Sequence, residues 1–170
     1  SFDTGGILKG YAADKAVASL KESGIKAGLV AIAGDIRGFG VKPDGKGWRV
    51  GIRNPRPKGK EDEMIASLEL KDEAISTSGD YERFFTEGDT LYHHIITPWT
   101  GHPAMDCRSV TVVAKEAYIT DGFSTGIFVL GPEKGLKAAK DTGIDALIVD
   151  SKGGFHVTDG IKGRLVMKNI

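Results

Sequence analysis

The chain has 170 residues, 23 basic and 23 acidic side chains for a formal charge of zero, and 40% hydrophobic residues. That length can bury a sizeable core in one domain or part of one, and the balanced charge lacks the basic excess through which proteins bind nucleic acid. The longest apolar run, residues 28–33, is far shorter than the roughly 20 residues a bilayer helix needs, and the single cysteine, Cys107, excludes an internal disulfide and a thiolate metal cluster.

The first elements follow from periodicity. Tyr11, Ala12, Ala16 and Leu20 recur at helical spacing, so a helix is expected from Lys9 or Gly10 to about Lys21, with Ser23-Gly24 as its stop. Ala27–Ala33 reads as a buried strand that ends at Gly34-Asp35, and Gly38 and Gly40 punctuate a second turn. The stretch GDIRGFG carries neither the dinucleotide nor the P-loop glycine spacing. Trp48–Ile52 alternates as a half-buried strand closed by Pro55 and Pro57, and residues 58–63 form a charged, solvated connector. Met64–Leu70 and Glu73–Ser76 are two short strands, with Lys71-Asp72 suited to a hairpin turn between them. The β-branched run Arg108–Ala114 is a further strand. A helix follows from about Thr120 to Gly131, and a second opens at Pro132-Glu133 and ends at Gly143. Residues 146–149, 154–157 and 164–167 are the last strands, with His156 structural or exposed.

Four stretches carry chemistry. Thr4-Gly5-Gly6 ahead of the first helix allows close backbone approach and a helix N-terminus that attracts anions, phosphate above all; the same pattern also serves as a plain tight connection. The hydroxyl residues of STSGDY, Ser76 to Tyr81, suit either a turn or contact with a site. In YHHIITPWTGHP, His93 and His94 are adjacent, so on a strand they point to opposite faces and do not form a metal pair; a single pocket histidine suits a general base. Asp121 and Thr125 are four apart and share a helix face, where their oxygens can meet one ion, although a first-turn Asp also simply favours the helix dipole. The helix around them is otherwise apolar, and a buried carboxylate needs a cation or donors.

Taken together, these stretches resemble the ApbE family, the flavin transferases that cleave FAD and attach FMN to a protein hydroxyl. The family signature Asp-x-Gly-Gly-x-x-Lys-Gly-Tyr-Ala-x-Asp stands here as Asp3, Gly5, Gly6, Lys9, Gly10, Tyr11, Ala12 and Asp14. A Gly-Asp-Ile then Trp-x-Val-Gly-Ile order, a Thr77-Ser78-Gly79-x-Tyr81 run, a His94-Ile95-Ile96-x-Pro98-x-Thr100-Gly101-x-Pro103 run and Asp121, Thr125 and Gly131 follow in the family's sequence. Two positions depart from it: Thr97 replaces the usual acid, and Trp99 a residue that is often Arg or Gln.

The resemblance implies an α+β fold of mixed or antiparallel sheets packed with helices, with a T-fold-related core. It also implies that residues 1–170 are a single-domain portion, the C-terminal part of a longer chain. It implies Mg²⁺ held by Asp121, Thr125 and the main-chain carbonyl of Leu8, and FAD as the flavin donor. Lys9, Thr77, Ser78, Gly79 and Ile96 line the cofactor site, and His94 is the candidate base. The implied partner is an acceptor protein with a Ser or Thr flavinylation site. The family's usual compartment is the periplasm, often with a lipid anchor. The alternatives are hydrolysis of FAD with water as acceptor, and a flavin-binding module that has lost turnover.

Overall fold

The structure, a computed structural model, describes residues 4–59, 63–88 and 90–168. Asp3 of the signature and residues 60–62 of the charged connector lie outside them. Helix α1 spans Leu8–Glu22, close to expectation. Thr4 starts it, its carbonyl accepting from the amides of Ile7 and Leu8 at 3.0 Å each. The face of α1 that carries Gly10, Ala13 and Val17 is buried, and Gly24 follows its end with φ +85°, a conformation in which Gly has no Cβ to clash.

Strands β1 (Gly28–Ile32) and β2 (Asp35–Phe39) form a hairpin across Ala33 and Gly34, both with positive φ. Two positive-φ residues make the mirror-image turn that matches strand twist. The expectation of a second turn at Gly38 is therefore corrected: Gly38 lies inside β2, its bare Cα facing the ring of Trp48 and the Leu70 side chain. Strands β3 (Trp48–Arg53) and β4 (Met64–Leu70) pair antiparallel, and β5 covers Ala74–Gly79. The expected hairpin at Lys71-Asp72 is also corrected, because the turn carries the chain from one sheet to another rather than folding β4 onto β5.

A two-stranded ribbon, β6 (Phe84–Glu87) and β7 (Thr90–His93), precedes β8 (Cys107–Ala114). Helix α2 (Ala117–Thr142) is broken at Gly131, whose φ of +78° and ψ of 175° let Pro132 open a second helical segment, as expected from the sequence. β9 (Asp145–Asp150), β10 (Phe155–Val157), a short helix α3 (Asp159–Lys162) and β11 (Val166–Met167) complete the chain.

The central sheet has the order β1-β2-β5-β8-β9-β10, with each neighbouring pair antiparallel, and a second sheet has the order β11-β4-β3. Alternation along the strands sends their side chains to two different layers. Ile75, Val113, Leu147 and Val149 meet Val50, Ile52, Leu68 and Leu70 of the three-stranded sheet, and Ile161 of α3 joins them. Val110, Val112, Ala146 and Ile148 face the other way, against Ile127, Phe128 and Ala139 of α2. The molecule is thus an α+β sandwich of helices, large sheet and small sheet.

Candidate active site

On the helix-facing side of the sheet the apolar core gives way to polar side chains. Asp35 and Arg37 of β2 and Ser76 and Ser78 of β5 point toward α1 and α2, and each finds a partner there. Ser76 Oγ lies 2.7 Å from Thr120 Oγ1, and Ser78 Oγ lies 2.8 Å from Ser124 Oγ and 3.0 Å from Thr125 Oγ1. These buried and half-buried hydroxyls satisfy one another across the seam.

The two helices are fastened by the signature residues. Gly10 packs directly on the backbone of Ala117; a Cβ there would overlap the Ala117 carbonyl. Asp14 then reaches across the seam to cap α2, its carboxylate accepting from the amides of Ala117 and Tyr118 at 3.0 Å each, while Arg37 Nε donates to the same carboxylate at 3.2 Å. No side chain of α2's own N-cap residue does this work. An anion at a helix N-terminus also complements the helix dipole. Asp121 is set one turn into α2 by this docking, with 2% of its surface exposed. Its Oδ1 accepts from Lys9 Nζ at 2.7 Å and its Oδ2 from the Gly10 amide at 3.0 Å.

Lys9 Nζ also lies 2.9 Å from Asp35 Oδ2. That oxygen is buried, and the ammonium meets it more by charge than by a well-aligned hydrogen bond. Burial pushes the Asp35 carboxyl above the usual carboxylate range, partly opposed by Ser76 and Lys9. Burial acts against the Lys9 ammonium as well, but its bonds to Asp121 and Asp35 outweigh this and raise its pKa. One ammonium between two buried carboxylates leaves one uncompensated negative charge. Thr125 Oγ1 stands one turn beyond Asp121 on the same helix. The site therefore offers carboxylate, hydroxyl and loop carbonyl oxygens around an excess negative charge, a donor set suited to a hard cation. Among the described residues no three His, Cys, Asp or Glu side chains converge to hold a metal by themselves.

The other expected site residues fall in different places. Leu8 is the first residue of α1, so its carbonyl belongs to the helical ladder. The carbonyl of Gly6, outside the helix, lies 3.8 Å from where a Cβ at Gly122 would stand, beside Asp121. Thr77 points to the opposite face of β5 from Ser76 and Ser78 and bonds Thr111 across the sheet at 2.8 Å. Gly79 ends β5, buried against the ring of Tyr81, and burial pushes the Tyr81 hydroxyl up to about 12. Ile96 is exposed and bridges to Pro103.

The two adjacent histidines separate: His93 ends β7 facing inward, and His94, just past the strand, faces solvent. His93 is buried edge-on against Phe128, with Nε2 2.9 Å from the Ala104 carbonyl and Nδ1 accepting from the Ile95 amide at 3.2 Å. A carbonyl cannot donate, so this ring is the neutral Nε2–H tautomer, and burial lowers its pKa. His94 is exposed, its Nδ1 3.3 Å from the Arg83 carbonyl. By the same reasoning Nδ1 carries the proton and Nε2 is the basic nitrogen. Thr97 is buried and accepts at its carbonyl from the amides of Thr100 and Gly101, whereas Trp99 is 67% exposed at the tip of that turn.

A cleft lined by Glu69, Lys71, Glu73 and Arg164 lies apart from this cluster. Arg164 is clamped there by Glu73 and Lys71 pairs with Glu69, so its charges are already matched.

The two partners that sequence reasoning left without a role are Asp14 and Asp35. Asp14 stands inside the quoted signature, but its contacts on α2 are more than a hundred residues away. Asp35 follows the hairpin glycine, where it reads as a turn residue.

The model of the ApbE family matches residues 1–148. The chain belongs to the ApbE family. Its relatives include the FAD:protein FMN transferases of Treponema pallidum, 36% identical over 96% of this chain and 47% of the relative, and of Vibrio cholerae, 38% identical over 90% and 46%. The ApbE protein of Thermotoga maritima superposes with a TM-score of 0.88 at 36% identity, covering 96% of this chain and 53% of that one. The Pseudomonas stutzeri flavinyl transferase ApbE gives a TM-score of 0.81, with 96% and 51% covered. This ApbE-family chain thus spans about half the length of the relatives it matches, and its α+β architecture is theirs.

Proposed function

We propose that this chain carries the metal-binding core of an FAD:protein FMN transferase, moving FMN from FAD to a Ser or Thr hydroxyl of an acceptor protein with release of AMP. The observation that supports this most directly is the junction of Lys9, Gly10 and Asp121, which sets a buried, negatively biased carboxylate against the first turn of α1. The relatives named FAD:protein FMN transferase are consistent with it.

In this reading Asp121 and Thr125 would hold Mg²⁺ with a main-chain carbonyl from the start of the chain: that of Gly6 in the front loop takes the place the sequence suggested for Leu8, whose carbonyl lies in α1. An ion held there would supply charge neutralisation for the pyrophosphate and its leaving oxygen. Lys9 adds a point charge toward the same phosphates. Ser78 orients the Thr125 hydroxyl, while Gly79 and Ile96 bound the flavin side; Thr77 supports them from the far face of β5. The acceptor oxygen attacks the FMN-side phosphorus, the bond from that phosphorus to the bridging oxygen breaks, and AMP leaves with the bridging oxygen. Nε2 of His94 takes the hydroxyl proton. Transfer of this kind depends chiefly on positioning and charge, which the docked helices supply.

The test incubates the protein with FAD, Mg²⁺ and a peptide containing an acceptor Thr, followed by mass spectrometry and AMP detection. The expected result is an FMN mass increment, reduced about 10²-fold or more in Asp121→Asn. AMP without the increment identifies a hydrolase, and FAD binding with neither product identifies a flavin-binding module; either result replaces the transferase reading.

A further inference from the structure

The Lys9 ammonium sits in the way of the reaction just described. It occupies Oδ1 of Asp121, the carboxylate that the transferase reading gives to a divalent cation. Two cations cannot share that oxygen at bonding distance, because like charges a few ångströms apart in a poorly solvated site repel strongly. Either Lys9 leaves for solvent when the metal binds, or it has somewhere else to go within the site.

Asp35 provides that place. Its side chain is 5% exposed and its Oδ2 is already 2.9 Å from Lys9 Nζ. The same Oδ2 is a buried side-chain oxygen on which the ammonium, bonded to Asp121, is not fully aligned as a donor. A buried acceptor that is not fully satisfied is costly and rare in folded proteins, and here it lies on the atom that an ammonium withdrawn from Asp121 would meet. The two anchors differ in mobility. Asp35 is fixed at the first position of β2, paired with Ile32 across a two-residue turn. Lys9 reaches the site on a flexible four-carbon stem, with three donors and 39% of its side chain exposed.

Resting on the transferase reading of Asp121, we propose that Asp35 is a positioning residue: its carboxylate takes over the Lys9 ammonium when a divalent cation claims Asp121. Without metal, the ammonium bridges both carboxylates and keeps the buried pair from repelling. With metal, Lys9 shifts its hydrogen bonds to Asp35, stays in the site and remains available to the substrate phosphates. Asp35 therefore acts on the metal through Lys9, and the two residues are energetically coupled rather than independent.

A double-mutant cycle tests this on the 170-residue chain with Mn²⁺ alone as the probe, free ion being measured by electron paramagnetic resonance. Asp121→Asn defines the portion of binding that belongs to this site. Asp35→Asn is expected to weaken that binding about 10-fold, because Lys9 then has no second anion and stays on Asp121. Lys9→Met is expected to tighten it. In the Lys9→Met background, Asp35→Asn is expected to change the dissociation constant less than about 2-fold, which is the signature of action through Lys9. An equal loss in both backgrounds means that Asp35 acts on the ion directly and overturns the proposal while leaving the metal site intact. Absence of any Asp121-dependent Mn²⁺ binding in the unmutated chain overturns the metal site itself, and the proposal with it. Should Asp35→Asn fail to fold, a crystal structure of the unmutated chain with Mn²⁺ decides: Lys9 Nζ bonded to Asp35 and released from Asp121 supports the exchange, and Lys9 in solvent or still on Asp121 rules it out.

Discussion

The two faces of the six-stranded sheet are built from the same strands and serve opposite ends. Toward the small sheet, Ile75, Val113, Leu147 and Val149 interlock with Leu68 and Leu70, a layer in which Thr77 and Thr111 pair with each other across the sheet. Toward the helices, the residues one step along on β2 and β5 are Asp35, Arg37, Ser76 and Ser78; they meet Lys9, Asp14, Thr120, Ser124 and Thr125, and Asp121 joins them through Lys9. The difference teaches where stability and chemistry are separated. The small-sheet face holds the fold by apolar burial, about 25 cal/mol per Å² removed from water. The helix face gives up part of that gain to keep five charged side chains and a row of hydroxyls close together, stabilised only because nearly every one has a partner.

Substitutions on each face should therefore fail in different ways. Leu68→Ala, at a position 1% exposed in the small-sheet layer, is expected to lower unfolding free energy by about 2–5 kcal/mol in urea titration. Its folded fraction should keep the wild-type Mn²⁺ affinity, since no side chain of that layer touches the site. Gly10→Ala is the counterpart on the helix face. Its added methyl would overlap the Ala117 carbonyl, so α1 and α2 must part, at a cost of about 1–3 kcal/mol. Here the site should be lost as well, because the Gly10 amide and Lys9 ride on the same helix turn against Asp121. Gly126→Ala is the control: it lies in α2 with open space around it, and there the same change should stabilise by about 0.5–1 kcal/mol. A Gly10→Ala variant that binds Mn²⁺ normally would break the link between helix docking and the site.

The fold was legible in the sequence where periodicity ran unbroken. Met64–Leu70 and both helical segments around Gly131 were placed from their residues, because apolar spacing and the Gly-Pro break are local signals. Asp35–Phe39 was not, because Gly34, Gly38 and Gly40 look alike in sequence, yet only the first turns the chain in this hairpin. The turn at Lys71-Asp72 has the chemistry of a hairpin; which sheet the next strand joins is decided by distant partners. The candidate site divides the same way. Asp121 and Thr125 share a face by simple helical spacing, and His93 and His94 part into core and solvent although β7 ends at His93. The tasks of Asp14 and Asp35 depend on contacts across the two-helix seam and could not be read from neighbours in the chain.

The smallest effect is expected far from both faces, at the turn after β9. Asp150 accepts from His156 Nε2 at 2.8 Å and from the amides of Gly154 and Lys152 at 2.8 and 2.9 Å. Led by the His156 bond, these donors lower its pKa to about 2. A carboxyl held below its unfolded value binds its proton less readily in the folded state. The stability it contributes is thus complete above an unfolded pKa of about 3.9 and is lost as pH falls toward 2. Asp150→Asn removes the charge but can retain one acceptor oxygen for the amides. Thermal melts should show the variant slightly less stable than the wild type at pH 7, with the gap closing between pH 4 and pH 2 and Mn²⁺ affinity unchanged throughout. A gap that persists at pH 2 would mean that the turn depends on the shape of Asp150 and not on its charge. In that event the buried Lys9, Asp35 and Asp121 cluster would be the place where ionisation, rather than packing, distinguishes one part of this molecule from another.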